Sequence, residues 1–135
     1  MASFKFDEKL RVGNRLMDRE HAILIEYLNT LEQVMEGNSS RFLIGQVLAG
    51  LVEYTNTHFY IEEELMNTFT YPDYLNHKTA HDKFRLAMRQ LVEQHKSGAA
   101  DVTVELMDYL KDWLVNHIQK IDVRLADFLR GKVLG

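Results

Sequence analysis

The sequence predicts an all-α protein, an antiparallel up-down-up-down four-helix bundle with an extended N-terminal arm. Apolar residues recur at steps of three and four along four long segments, which is the period of a one-sided helix. The segments are joined by short stretches bearing Gly, Ser, Asn or the single proline, and short connections favour antiparallel neighbours. The 135 residues suffice for one domain, 1–135, divided into an arm at 1–17 and a bundle at 18–131.

Residues 1–17 show no clean period, and Phe4, Phe6, Leu10 and Val12 are available to anchor them on the body. Asp18 is the expected N-cap of the first helix, whose stripe runs His21, Leu24, Ile25, Leu28, Leu31 and Met35 and ends before Gly37. Asn38, Ser39 and Ser40 supply a turn and caps. The second stripe follows as Leu43, Val47, Leu51, Tyr54, His58, Ile61, Glu62 and Leu65. Pro72 ends that helix, and Asp73 is the expected cap of the third, carrying His77, His81, Phe84, Met88, Leu91 and Val92 as far as Ser97-Gly98. Asp101 is expected to open the fourth, with Leu106, Leu110, Trp113, Leu114, His117, Ile121, Leu125 and Phe128 inward.

Composition removes several function classes. With no cysteine there is no thiolate metal site, iron-sulfur cluster or cysteine nucleophile. A net charge of −4, with basic residues interspersed among acids, gives no nucleic-acid footprint. Glycine-rich phosphate loops and a Gly-x-Ser-x-Gly elbow are lacking. No apolar run approaches the roughly 20 residues of a membrane span, and the expected location is the cytoplasm.

The chemistry is carried by histidines. His58 and Glu62 are four apart, as are His77 and His81, so each pair shares one helix face across the Pro72 turn. In an alternating bundle, His21 near the start of the first helix and His117 and Asp122 in the later half of the fourth fall at the same height. A single histidine on an apolar stripe is usually a hydrogen-bonded core residue. Five imidazoles and two carboxylates at one level would instead leave many groups needing partners, at about 1 to 3 kcal/mol for each one unpaired. Seven ligands exceed the four of one structural zinc, so two metals are implied. Imidazole with carboxylate suits iron, zinc, copper or nickel.

Phase selects Glu62 over Glu63 and Glu64, which turn progressively away and are expected in solvent. His95 belongs to no constellation and is expected to be exposed at a helix C-terminus. His117 and Asp122 are five apart, about 140° round a regular α-helix, so a local π-type widening is expected between them. Trp113 and Leu114 precede His117 on its own face and are expected to cover the turn beside the metal, with Phe59, Ile25 and Ile118 as further neighbours. Core packing alone is the competing role for these five.

Met17-Asp18-Arg19-Glu20-His21, His58-Phe59 with Glu62-Glu63, Tyr71-Pro72 with His77 and His81, and Trp113-Leu114-Val115-Asn116-His117 with Asp122 together resemble the hemerythrin family, in its bacterial form, over nearly the whole chain. Phe6 and Arg19-Glu20 depart from the family's commoner residues, and neither is expected to touch a ligand.

The resemblance implies two non-haem iron ions. His77, His81 and His117 would hold one, His21 and His58 the other, with Glu62, Asp122 and a solvent-derived oxo or hydroxo group bridging them. Dioxygen would bind reversibly at the second ion, and the net charge of the site would stay constant because the bridge proton moves to the bound oxygen. The expected role is oxygen carriage, storage, delivery or sensing rather than enzymatic turnover. The rivals are a di-iron oxidase or peroxidase and a redox or nitric oxide sensing module acting through a partner protein.

Overall fold

The computed structural model describes residues 5–37, 40–97 and 104–132, with backbone only for 104–106. Its four long helices form the expected bundle: α1 is Arg15–Glu36, α2 is Arg41–Thr68, α3 is Tyr74–Ser97, and the fourth runs as α4 Val104–His117, a π-helical segment Ile118–Asp122, and α5 Val123–Leu129. Helix α1 packs on α2, α2 on α3, and α4 returns against α1.

Residues 5–14 of the arm are extended except for one 3-10 turn at Glu8–Leu10, capped by Asp7. Leu10 and Val12 are buried and Phe6 half-buried, while Phe4 lies outside the described residues. Helix α1 begins ahead of the expected Asp18. Asn14 is the N-cap, its Oδ1 accepting from Met17 N at 3.0 Å. Asp18 sits in the first turn and reaches back, accepting from Val12 N at 2.8 Å and pinning the arm to the bundle.

Ser40 caps α2 as expected, its Oγ accepting from Leu43 N at 3.2 Å. The buried face of α2 is rotated from the expected one. Leu43 is 42% exposed and Val47, Tyr54, Ile61 and Leu65 are half-buried, whereas Leu48, Leu51, Thr55, Phe59 and Met66 fill the core beside His58 and Glu62. A 28-residue helix drifts across any fixed set of three- and four-residue steps, and β-branched and aromatic residues on both flanks hide the drift.

Helix α2 ends in a Schellman motif. Tyr71 N donates to Met66 O at 2.8 Å and Thr70 N to Asn67 O at 3.3 Å, with Thr70 in the left-handed region at φ 54°. Pro72 follows directly, and Asp73 precedes α3 as expected, although its Oδ1 accepts from the Asn76 side chain at 2.8 Å. Asp101 lies outside the described residues, as does the side chain of Leu106.

His95 is half-buried, a correction to its expected exposure. Its Nε2 donates to Arg41 O at 2.9 Å, the Arg41 guanidinium donates to His95 O, and the ring packs against Gly45, where an added Cβ would lie 3.0 Å from Nε2. It is a clasp between the two ends of α2 and α3 far from the histidine level.

Candidate metal centre

All five histidines of the constellation and both carboxylates point inward at one level of the bundle. His21, His77, His81, Glu62 and Asp122 are fully buried, with His58 at 1% and His117 at 3% exposure. The π segment that the five-residue spacing called for is present at Ile118–Asp122 and brings Asp122 Oδ1 to 3.1 Å from His117 Nε2. The extra residue per turn also shifts the inward face beyond it, so that Leu129 is buried where Phe128 was expected and Ile121 stays half-buried. Gln119 Nε2 donates to Lys9 O at 3.2 Å, tying the arm to this widened turn.

The carboxylates divide their oxygens between two donor groups. Glu62 Oε1 lies 3.2 Å from His77 Nε2 and 3.1 Å from His81 Nε2, while its Oε2 lies 3.0 Å from His58 Nε2 and 3.6 Å from His21 Nε2. Asp122 repeats the pattern: Oδ1 is 3.0 Å from His77 Nε2, and Oδ2 is 2.9 Å from His21 Nε2. One group therefore comprises Glu62, His77, His81, His117 and Asp122, and the other His21, His58, Glu62 and Asp122, each with its ligand atoms within 4.8 Å of one another.

These donors fit a metal. His21, His81 and His117 Nε2, Glu62 Oε2 and both Asp122 oxygens are buried without a hydrogen bond of acceptable geometry, although they face one another at close range. Lone pairs converging in this way are what a cation of imidazole and carboxylate preference would satisfy. Among the described residues no helix is long and apolar enough to cross a membrane.

Two further carboxylates complete the surroundings, and both correct expectations. Glu63, expected in solvent, is buried: its Oε2 accepts from His81 Nδ1 at 2.9 Å, and Arg85 donates to it at 2.8 and 3.1 Å. Glu64 is exposed as expected. Glu20, expected to touch no ligand, accepts from His58 Nδ1 at 2.8 Å. Each bond fixes a tautomer, leaving the ligand Nε2 free to face the centre. A faint signal was available, since each of these acids is the immediate sequence neighbour of a ligand, 100° away on a helix and aimed at the adjacent one.

Of the five pocket candidates, three meet around one small apolar cavity: Phe59, Trp113 and Leu114, with Leu24, Leu28, Leu51, Thr55 and Phe84 completing its wall. Its volume is about 10 Å³, close to the least that holds one water molecule. Ile25 and Ile118 are buried core outside that wall. Phe59 stacks on His81 at 3.9 Å between ring centres and Trp113 on His117 at 4.5 Å, locking two imidazoles in orientation.

Without metal, protons stand in for it. Burial alone would lower His58, but the charge of Glu62 and the bond to Glu20 push it up to about 10, and burial of His77 is likewise overcome by Asp122 and Glu62, to about 9. Burial would raise Glu62, yet the surrounding histidines hold it well below the usual carboxylate range. Both histidines are thus raised from 6.5, so their contribution to folding is complete below about pH 6.5 and is lost as pH rises through 9 to 10. Thermal unfolding of chelator-stripped protein should show falling stability across that interval, with the metal-loaded protein much less affected. A flat profile for the stripped protein would contradict this.

A family model for the hemerythrin HHE cation binding domain matches residues 12–129. The chain belongs to the hemerythrin family. Relatives include the bacteriohemerythrin of Stenotrophomonas maltophilia, 35% identical over 97% of this chain and 84% of the relative, and that of Methylococcus capsulatus, 35% identical over 78% and 79%. A crystal structure of wild-type hemerythrin superposes with a TM-score of 0.77 at 33% identity, covering 83% of this chain and 85% of that one. A hemerythrin fold accounts for the four helices converging on one donor level.

Proposed function

We propose that this hemerythrin-family chain binds two iron ions, joined by a solvent-derived oxo or hydroxo bridge, and holds dioxygen reversibly without turnover. The supporting observation is the division of Glu62 and Asp122 oxygens between a three-histidine and a two-histidine group. A pair of ions so bridged would supply the two electrons that dioxygen accepts on binding and returns to the site on release.

The rest falls to the protein. The three-histidine group has five protein ligands and the two-histidine group four, so the latter is the position with room for an exogenous ligand. Glu62 and Asp122 hold both positions at a fixed separation because each is fully buried and met from several helices. Phe59, Trp113 and Leu114 exclude water and anions that would otherwise compete for the open position. A histidine-rich, carboxylate-poor donor set favours binding over oxygen activation, in contrast to ferritin-like sites built on more carboxylates.

Iron-loaded, reduced protein should develop charge-transfer absorption on exposure to air and lose it when oxygen is withdrawn, over repeated cycles. Bands that persist after oxygen is removed, or steady consumption of oxygen and an electron donor, would overturn the reading in favour of an oxidase.

A further inference from the structure

The two donor groups carry matched outer hydrogen bonds that differ in charge. One histidine of each has a carboxylate on its Nδ1: His58 has Glu20 at 2.8 Å and His81 has Glu63 at 2.9 Å. Among the described residues no side chain accepts from Nδ1 of His21, His77 or His117. The two carboxylates are equally buried, each side chain 11% exposed, so solvent screens them alike.

Their neighbours differ. Glu63 is gripped through both oxygens by the Arg85 guanidinium at 2.8 and 3.1 Å, a bidentate pair that takes up much of its charge. Arg85 is in turn shared with Asp82 at 2.9 Å and lies 5.2 Å above the Phe59 ring, which fixes its place. Glu20 has no Lys or Arg at ion-pair distance among the described residues; its one close charged partner is His58. An anion on the far side of a ligating imidazole makes the ring a stronger donor.

We propose that Glu20 is a positioning residue that, through His58, makes the two-histidine metal position the more electron-rich of the pair, while Arg85 restrains Glu63 from doing the same at the three-histidine position. The proposal rests on the two-iron reading above. It assigns the stronger outer donor to the position that has room for an exogenous ligand, where electron density must be given up when oxygen binds. A conservative Glu20→Gln change keeps an acceptor for His58 and removes the charge, and Arg85→Met releases the charge of Glu63.

The test is a mediated potentiometric titration of the iron-loaded full chain, diferric to diferrous, with iron content measured in parallel. Mössbauer spectra of protein loaded with iron-57 identify the ion affected. Glu20→Gln is expected to shift the potential positive and to perturb one ion, Glu63→Gln to shift it less, and Arg85→Met to shift it negative, all with iron content retained. A Glu20→Gln potential equal to the parent's, or a Glu63→Gln shift as large, overturns the proposal. Should Glu20→Gln lose iron, Arg85→Met decides, and a potential unmoved or raised there overturns it. A parent that holds both irons but does not release oxygen defeats the oxygen-binding reading alone and leaves the potentials to judge Glu20. A parent that takes up no iron defeats both.

Discussion

Asp122→Ala is expected to strip the protein of both metals, and Glu62→Ala to do the same, whereas His58→Ala should lose only one. The difference follows from which donor groups each residue serves. Glu62 and Asp122 belong to both groups, and His58 to one. Removing a shared carboxylate also leaves the imidazoles without the anion they face, since His21, His77 and His117 all lie within 3.1 Å of an Asp122 oxygen. Buried polar groups left unpaired cost about 1 to 3 kcal/mol each, so a loss of stability in the metal-free state should accompany the loss of metal. Iron analysis of purified variants, with circular dichroism to confirm helicity, separates these effects. An Asp122→Ala protein that retains one iron per chain would show that the carboxylates are not shared.

Leu114→Ala is expected to cost about 2 to 5 kcal/mol of stability, the range for truncating a buried leucine. Leu114 is 5% exposed and forms part of the cavity wall with Phe59 and Trp113. Truncation enlarges a space of about 10 Å³ that now holds at most one water molecule. With more water able to enter, the oxygenated protein should decay faster to the oxidised form, while iron content is unchanged because Leu114 is no ligand. Denaturant unfolding gives the first quantity and the decay of the absorption bands in air the second. Stability lost without faster decay would make Leu114 core alone and place protection of the site elsewhere.

Much of the centre was legible because metal ligation and helical geometry impose rigid spacing. His58 with Glu62 and His77 with His81 had to share faces, and the five-residue interval from His117 to Asp122 required the π turn that the structure contains. The outer residues were harder to see. Glu20 and Glu63 read as ordinary helix-surface charge, and only the approach of the neighbouring helix shows that each side chain runs sideways to an imidazole. Arg85 likewise follows from a contact 22 residues away in the chain. Helix ends were misplaced where two capping residues competed: Asn14 takes the cap of α1, and Asp18 turns back to the arm. The clasp of His95 on Arg41 depends on the close approach that Gly45 permits, which spacing alone does not signal.

The most direct test of a shared-carboxylate centre is anomalous diffraction at the iron absorption edge from crystals of the iron-loaded protein. Two peaks are expected, one bounded by His77, His81 and His117 and the other by His21 and His58, with Glu62 and Asp122 each touching both. A single peak, or either carboxylate turned away from one of two peaks, would contradict it.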